Sequence, residues 1–303
     1  MERVYDMIVV GGGPGGYTAA MYAARAGLDV LVLEKLSAGG QMALTTQVDN
    51  YPGFPEGVDG FQLAEAMEQQ AQRFGAKTEL AEVLRAELEA EIKRLHTTEG
   101  EFLARTVVIA TGADPRRLDL PMEWELTGRG VNYCAHCDGH FYKNKTVVVV
   151  GGGNTAAADA LLLSRICKKV IVVHRRDSLR ATKIYHKPLQ EAENVEFIWN
   201  ATVTELLHGD RLTGIKVADV NTGENREILC DGLFVSIGRS PNTQLFPTLA
   251  QENGYIAADE TTRTSIPGVF AVGDVRTKEL RQIVTAVSDG ATAAHHAEMY
   301  LYR

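Results

Sequence analysis

The sequence has few cysteines, fewer basic than acidic residues and no long apolar runs, and each of these features argues against a class of protein. Four cysteines in 303 residues are too few for a disulfide framework, so we expect a reducing, cytoplasmic setting. No apolar run approaches the roughly 20 residues of a membrane helix, and we expect no signal peptide before the first strand. The net charge of −8 argues against nucleic acid as a partner.

Glycine, by contrast, is abundant, and the first cluster of glycines forms a nucleotide-binding pattern. The apolar strand Asp6–Val10 leads into Gly11–Gly16, which contains G-x-G-x-x-G, and then into the small-residue helix Tyr17–Ala26. A second strand, Leu28–Leu33, ends at Glu34. Such glycines allow a tight turn, a close approach of pyrophosphate and close helix–strand packing, and the helix N-terminus faces the anion. We therefore predict an adenine dinucleotide site, with a plain glycine turn as the alternative.

The same pattern occurs a second time in the middle of the chain. The β-branched strand Lys145–Val150 leads into Gly151–Ala156, the helix Ala157–Ile166 and the strand Val170–Val173. A chain of 303 residues also favours two domains. The repeat therefore predicts a second nucleotide-binding domain.

The two units differ in charge at the position that contacts the ribose. Glu34 in the first unit corresponds by spacing to His174 in the second, where Arg175, Arg176 and Arg180 follow. A carboxylate accepts hydrogen bonds from free ribose hydroxyls, whereas guanidinium groups bind a 2′-phosphate. The second site is therefore predicted to take NADP(H), with a solvated basic turn as the alternative.

Further strand–glycine junctions and two proline-bearing stretches indicate how the domains are connected. Strands ending at Gly112, Gly238 and Gly273 resemble core strands whose carboxyl ends meet a ligand, and Val83–Leu103 is predicted to form a β-hairpin. Pro115–Pro121 and Pro241 mark the crossings between domains. The predicted fold class is α/β, with two Rossmann-like, three-layer β/β/α domains. The second domain is inserted into the first: residues 1–114 and 243–303 form one, and 115–242 the other.

A Cys-x-x-Cys pair precedes the second glycine loop. Cys134 and Cys137 can form a local, reversible disulfide, and Asp138 is a candidate acid or base for thiolate chemistry. A zinc site using both cysteines and His140, or a purely structural disulfide, are the alternatives. The remaining cysteines, Cys167 and Cys230, are predicted to be buried apolar residues.

With these motifs the chain resembles bacterial-type thioredoxin reductases over essentially its full length. The most specific feature is the order Cys134–Asp138, Gly151–Ala156, His174–Asp177. The other matching segments are Gly11–Ala20, Gly39–Gln41, Gly130–Tyr133, Arg180, Gly232–Phe234, Ile237–Gly238, Ser240–Thr243, Gly273–Asp274 and Arg281–Gln282.

The resemblance implies a homodimeric flavoprotein in which hydride passes from NADPH to FAD and electrons then reach the Cys134–Cys137 disulfide. It implies that Cys137 faces the flavin, that Cys134 attacks oxidised thioredoxin, and that Asp138 donates a proton. The implied FAD contacts are Gly11, Gly13, Pro14, Gly15, Gly16, Glu34, Lys35, Gly39, Gly40, Gln41, Asn50, Thr111, Gly112, Gly273, Asp274, Arg281, Gln282 and Ile283. The implied NADPH contacts are Gly153, Asn154, Thr155, Ala156, His174, Arg175, Arg176, Arg180, Ile237 and Gly238, and the partner contacts are Arg129 and Phe141.

The sequence departs from the family pattern at His136, where threonine is common, at His140, where an aromatic residue is common, and at Glu34. Because both histidines flank the redox pair, other acceptors stay open, namely a glutaredoxin-like protein or a peroxiredoxin. A small-molecule dithiol oxidase would not need the arginine cluster. A non-catalytic NADPH-sensing module would not need the Cys-x-x-Cys-Asp motif. No metal site is predicted.

Overall fold

Parallel strands dominate the computed structural model of the chain, which describes residues 3–45 and 47–302. The strands are β1 (Val4–Val10), β2 (Val30–Glu34), β3 (Lys77–Leu80), β4 (Val83–Glu87), β5 (Lys93–Thr97), β6 (Gly100–Ile109), β7 (Ala113–Pro115), β8 (Val131–Asn132), β9 (Thr146–Val150), β10 (Lys169–Val173), β11 (Val195–Ile198), β12 (Ala201–His208), β13 (Leu212–Asp219), β14 (Asn225–Leu229), β15 (Gly232–Val235), β16 (Arg239–Pro241), β17 (Gln251–Glu252), β18 (Tyr255–Ile256) and β19 (Val269–Ala271). The helices are α1 (Pro14–Arg25), α2 (Gly60–Arg73), α3 (Ala135–Asp138), α4 (Asn154–Ser164), α5 (His186–Glu191) and α6 (Ile283–Leu301).

The chain divides into two compact units, and the second interrupts the first. Unit 1 runs to Asp114 and resumes at Ser240, and unit 2 is Pro115–Arg239. This division places the return crossing between residues 239 and 240, three residues before the position expected from sequence, and the domain boundary at 242/243 stays a prediction. Asn242 donates to the Thr111 carbonyl at 3.0 Å, and its own carbonyl accepts from the Thr111 hydroxyl at 2.7 Å. These bonds tie Asn242 to unit 1.

Unit 1 is built on a sheet with the strand order β3-β2-β1-β6-β5-β4, and β19 also pairs with β6. Neighbours among β3, β2, β1 and β6 are parallel, as are β6 and β19, whereas β4, β5 and β6 form an antiparallel meander. The predicted hairpin in this region is thus confirmed, with its turn between Thr97 and Gly100.

Both faces of the unit 1 sheet are covered, which explains why its parallel strands are apolar throughout. Met7 and Val9 point to the core that contains the small residues of α1 and α6. Ile8 and Val10 point to the opposite core, where Phe246 packs. Successive strand residues alternate between faces, so one strand contributes to both cores.

Unit 2 contains a fully parallel sheet with the order β11-β10-β9-β15-β8 and a separate antiparallel sheet, β12-β13-β14. Val148 and Val150 face the core shared with the antiparallel strands, and Val147 and Val149 face the core beneath α4. The two units confirm the predicted α/β class with Rossmann-like layers. Within the described ranges, no helix is both long and apolar enough to cross a bilayer.

Helices α1 and α4 begin three residues earlier than their small-residue runs suggest. The N-cap of α1 is Gly13, with Pro14 at the first helical position, where its fixed φ and missing amide hydrogen are favourable. The N-cap of α4 is Gly153. Each helix therefore starts directly at its glycine loop.

Close backbone contact joins α1 to α6 in unit 1. A Cβ atom added to Gly290 would lie 2.3 Å from the Gly15 carbonyl oxygen and 2.9 Å from the Ala19 amide nitrogen. Only glycine allows this approach, so the start of α1 is held directly against the backbone of α6.

We predict that Gly290→Ala lowers the thermal unfolding midpoint. Alanine favours helix over glycine by about 1 kcal/mol, but overpacking against backbone costs about 1–3 kcal/mol or more, so the clash decides the sign. Gly209→Ala is the control, since a Cβ there meets nothing within 4 Å. Scanning calorimetry compares the three proteins, and a raised midpoint for Gly290→Ala would contradict the packing described.

Candidate functional site

The first glycine loop of unit 1 leaves the start of α1 open to an anion. No side chain caps the first turn of α1, and that turn contains no acidic residue. A Cβ on Gly13 would meet nothing within 4 Å, so the space beside this N-cap is free. An uncapped helix N-terminus offers amide donors and a favourable dipole to phosphate. The loop therefore fits the pyrophosphate of a dinucleotide.

Glu34, at the end of β2, is held against this loop by main-chain donors. Its Oε2 accepts from the Gly12 amide at 2.6 Å, and its Oε1 accepts from the amides of Lys35 at 2.8 Å and Leu36 at 3.1 Å. Each carboxylate oxygen can accept further bonds. The side chain is thus oriented beside the loop and keeps acceptor capacity for a ribose hydroxyl.

Several other residues expected to contact FAD are brought together in unit 1. The Gly39 amide donates to the Gly12 carbonyl at 2.7 Å. The Asn50 amide group donates to Gln282 Oε1 at 3.0 Å, and Gln282 caps α6. Segments that are far apart in sequence therefore meet at this end of unit 1.

Other expected FAD residues are engaged elsewhere through their side chains. The Lys35 ammonium pairs with Glu82 at 2.6 Å, and the Gln41 amide donates to Asp114 at 2.9 Å. The Arg281 guanidinium lies 4.2 Å from the centre of the Tyr255 ring, and its buried Nε has no hydrogen-bond partner in the described part of the chain. Their contact with a cofactor stays a prediction.

The second glycine loop, in unit 2, is built in the same way around His174. A Cβ on Gly152 would lie 2.3 Å from the His174 ring, so the imidazole packs directly on this glycine. The Gly152 carbonyl accepts from the Arg180 amide at 2.7 Å. A Cβ on Gly153 would meet nothing within 4 Å, and no side chain caps α4. The second loop thus also has an open helix start.

The arginine cluster next to this loop is positively charged and not neutralised by acids. Arg175, Arg176 and Arg180 are exposed, and none forms an ion pair with an acidic residue in the ranges 3–45 and 47–302. Burial, and then the charges of Arg180, Arg175 and Arg176, lower the pKa of His174. Its buried Nε2 has no partner among the described residues. This neutral imidazole beside guanidinium groups fits a phosphate-bearing ribose.

Two aromatic residues lie beside His174 that the sequence motifs do not predict. Phe197 and Trp199 stack with ring centres 4.6 Å apart, and the His174 ring meets Trp199 edge-on at 6.3 Å. The available signal is the alternation Phe197-Ile198-Trp199 at the end of β11, which is equally typical of an ordinary core strand. The other expected NADPH residues, Ile237 and Gly238, follow β15, and the Gly238 carbonyl accepts from the Arg116 amide at 3.0 Å.

The cysteine pair of unit 2 forms a disulfide at the start of a short helix. Cys134 and Cys137 are bonded, with Cα atoms 5.3 Å apart. Cys134 is the N-cap of α3, and its Sγ accepts from the Cys137 amide at 3.2 Å. In the dithiol form, such an amide donor stabilises a thiolate. Within the described ranges, no group of three or more His, Cys, Asp or Glu residues could hold a metal.

Hydrogen bonds to Tyr133 and Asn132 fix the strand residues before the pair. The Tyr133 hydroxyl donates to the buried Glu123 carboxylate at 2.8 Å, and Glu123 also accepts from the Leu118 amide at 2.9 Å. The Asn132 amide donates to the Tyr142 hydroxyl at 2.9 Å. The cysteines therefore follow a segment that is anchored through its side chains. Cys167 and Cys230 are buried, as predicted.

Asp138 is placed to exchange a proton near neutral pH. Burial raises its pKa from 3.8 to about 6, while the charge of His140 acts in the opposite direction. Acid–base groups work best when their pKa lies near the working pH. The carboxyl group beside the disulfide can therefore both hold and release a proton under physiological conditions.

The expected partner contacts, Arg129 and Phe141, are both exposed. The Phe141 side chain is 46% exposed, and its ring centre lies 3.9 Å from that of His140. An exposed aromatic side chain close in sequence to the disulfide suits a protein partner. Their role in docking stays a prediction.

Comparison with known proteins places these features in a family. The family model described as pyridine nucleotide-disulphide oxidoreductase matches residues 5–290. The chain is 43% identical over 302 residues to the thioredoxin reductase of Treponema pallidum, covering 99% of this chain and 98% of that protein. It is 43% identical over 303 residues to the enzyme of Bacillus subtilis, covering 99% and 96%. The crystal structure of thioredoxin reductase from Streptococcus pyogenes is similar with a TM-score of 0.93 at 40% identity, covering 100% and 99%.

We predict that Asp138→Asn changes the pH dependence of stability in the oxidised protein. The folded state keeps the Asp138 proton up to about pH 6, whereas the ordinary value is 3.8, so wild-type stability falls as the pH rises through this window. The variant has no such loss. Between pH 3.8 and about pH 6, the free energy of unfolding of the variant should rise relative to that of the wild type. Above about pH 6, the difference between the two free energies should stay constant.

Urea unfolding at a series of pH values measures this difference. Asp210→Asn, at an exposed turn position, is the control for the loss of one carboxylate. A difference between Asp138→Asn and wild type that does not vary with pH would show that Asp138 is not held protonated.

Proposed function

Because this chain belongs to the thioredoxin reductases within the pyridine nucleotide-disulphide oxidoreductase family, we propose that it transfers electrons from NADPH to the disulfide of a thioredoxin-like protein. The observation that carries the proposal is the Cys134–Cys137 disulfide, next to a carboxyl group of Asp138 whose pKa is about 6. The enzyme is an NADPH-dependent flavoprotein disulfide reductase, a thioredoxin-disulfide reductase.

We assign FAD to unit 1 and NADPH to unit 2. The open start of α1 suits a pyrophosphate, and Glu34 suits a ribose with a free 2′-hydroxyl, which matches the adenosine half of FAD. The exposed Arg175, Arg176 and Arg180 suit the 2′-phosphate that distinguishes NADPH. When bound, FAD supplies the step between a two-electron hydride donor and a disulfide.

The chain's own groups carry the exchange with the protein partner. The Cys134 thiolate attacks one sulfur of the partner disulfide, which forms a mixed disulfide and releases the other sulfur as a thiolate. The Cys137 thiolate then attacks Cys134, which restores the Cys134–Cys137 disulfide and releases the reduced partner. Two electrons and two protons leave with the partner, and Asp138 is the group placed to deliver a proton.

The partner and the assembly are the finer parts of the proposal. We assign Arg129 and Phe141 to the contact with a thioredoxin-like protein, and we expect a homodimer in the cytoplasm, where free thiols persist. A glutaredoxin-like or peroxiredoxin acceptor would use the same chemistry. A small-molecule dithiol oxidase is disfavoured because it leaves the arginine cluster without a role.

The test is reduction of oxidised thioredoxin in the presence of NADPH by the purified protein, which should carry FAD. We predict that Cys134→Ser and Cys137→Ser each abolish turnover. Cys137→Ser should in addition accumulate a covalent mixed disulfide with thioredoxin, because Cys134 can still attack but nothing releases the product. Non-reducing electrophoresis and mass spectrometry detect this species.

Cys167→Ser is the matched control, since Cys167 is a buried free thiol, and it should keep turnover. Accumulation of the mixed disulfide with Cys134→Ser instead would exchange the roles of the two sulfurs. Turnover with glutaredoxin or peroxiredoxin but none with thioredoxin would establish the alternative acceptor.

We also predict that Arg175→Ala combined with Arg176→Ala raises the KM for NADPH and leaves kinetics with NADH nearly unchanged. Each lost charge-assisted contact with the 2′-phosphate costs about 1.5–3 kcal/mol, or roughly ten- to hundredfold. Lys168→Ala combined with Lys187→Ala, two exposed lysines of the same unit, controls for the loss of two positive charges. Equal losses with both nucleotides would refute the assignment of these arginines to the phosphate.

A further inference from the structure

A buried ionic cluster on α6 has no role in the chemistry described above. Asp289 is only 5% exposed and lies in the middle of α6, facing Arg276, which is 2% exposed. Asp289 Oδ1 accepts from Arg276 Nη2 at 2.9 Å, and Oδ2 accepts from Arg276 Nε at 3.0 Å. Oδ2 also accepts from Lys278 Nζ at 2.7 Å. Two cations thus converge on one carboxylate.

The Asp289 carboxylate is ionised, and the polar groups around it form hydrogen bonds. Burial alone would raise the pKa of Asp289, but the bonds from Arg276 and Lys278 hold it below its ordinary value. The third guanidinium nitrogen of Arg276, Nη1, donates to the carbonyl oxygens of Ala258 at 3.2 Å and Thr277 at 2.9 Å. Replacing a buried ion pair with apolar residues of similar volume often leaves the free energy of unfolding unchanged or raises it. Global stability is therefore a weak reason for the presence of this cluster.

One further bond connects the cluster to the flavin site. The Gly273 amide donates to Asp289 Oδ2 at 2.8 Å. Gly273 begins the short 3₁₀ turn Gly273–Val275, which carries Asp274, one of the residues assigned to FAD. The carboxylate of Asp289 therefore holds the start of this turn from the side of α6.

Neighbouring residues of the same helix hold the other side of the site. Gly290 contacts the Gly15 carbonyl so closely that a Cβ would lie 2.3 Å from it, and a Cβ on Gly15 would lie 3.1 Å from the Ala286 carbonyl oxygen. Gly15 is in the first turn of α1, where the pyrophosphate is assigned. Within unit 1, consecutive positions 289 and 290 thus fix the turn that carries Asp274 and the start of α1.

We propose that Asp289, oriented by its paired bonds to Arg276, is a positioning residue for flavin binding that sets the place of the Gly273–Val275 turn relative to the start of α1. The inference rests on the proposed FAD site in unit 1. Preorganised contacts lower the cost of binding, so loss of the Gly273–Asp289 bond should weaken FAD binding in a protein that remains folded.

The test is the FAD dissociation constant of the full-length protein, measured by ultrafiltration of the flavin-loaded form at a temperature where circular dichroism shows it folded. Asp289→Asn keeps the shape but removes the charge, and it turns an amide donor toward Arg276 or Gly273. We expect the dissociation constant to rise by about tenfold or more, the size expected for a hydrogen bond to a charged group. Global stability alone does not change this constant in a folded protein.

Two control variants separate positioning from general damage. Lys278→Met removes one cation but leaves the Gly273–Asp289 bond, so FAD affinity should be unchanged. Asp159→Asn makes the same chemical change at a buried carboxylate of unit 2, which accepts from Ser236 at 2.6 Å, and should also leave FAD affinity unchanged. If Asp289→Asn does not fold, the double change with Lys278→Met removes the uncompensated ammonium and gives the same comparison.

Each outcome decides one question. Unchanged FAD affinity in Asp289→Asn overturns the inference and leaves the flavin site standing. A loss in Lys278→Met as large as that in Asp289→Asn also overturns it, because the bond to Gly273 is then not the cause. A wild-type protein that binds no FAD overturns the proposed function itself.

Discussion

The structure depends on one close contact that is made twice, between the second glycine of a loop and the side chain at the end of the next strand. In unit 1 the Gly12 amide binds the Glu34 carboxylate at 2.6 Å. In unit 2 the His174 ring rests on Gly152, closer than any Cβ would allow. In both units the following helix starts uncapped at a glycine. The backbone at the start of the helix is alike in both units, so under the proposed assignment the side chain at the strand end is what distinguishes the two nucleotides.

The two units differ in whether the charged side chains near their glycine loops are paired within the protein. In unit 1 the charged groups around the proposed flavin site have partners within the protein: Glu34 accepts from backbone amides, and Asp289 pairs with Arg276 and Lys278. In unit 2, Arg175, Arg176 and Arg180 are exposed and form no ion pair with an acidic residue in the described part of the chain. Groups that are already ordered bind with a small entropic cost, which suits a resident cofactor. Exposed, hydrated charges exchange their partner readily, which suits a nucleotide that must leave after each turnover.

Much of this arrangement can be predicted from sequence because the informative residues are contiguous. The two glycine loops, the Cys-x-x-Cys-Asp motif and the α/β class all follow from short patterns with a direct physical meaning. Pairs that are distant in sequence cannot be read in this way. The bonds of Tyr133 to Glu123 and of Asp289 to Gly273 depend on tertiary structure, and no local pattern marks them. The bonds between Asn242 and Thr111 are of the same kind, and they bear on where the chain returns to unit 1.

The redox pair combines a local motif with a nonlocal environment, and its chemistry needs both. The spacing of Cys134 and Cys137 permits the disulfide, and the Cys137 amide that points at the Cys134 sulfur follows from the short helix between them. The acidity of Asp138 does not follow from the motif, because an aspartate exposed to water would be fully ionised at neutral pH. Burial raises its pKa to about 6, so a fraction of the molecules is protonated near neutral pH, which suits the proposed delivery of a proton to a leaving thiolate. The disulfide therefore follows from the local motif, whereas the raised pKa of Asp138 follows from the packing around it.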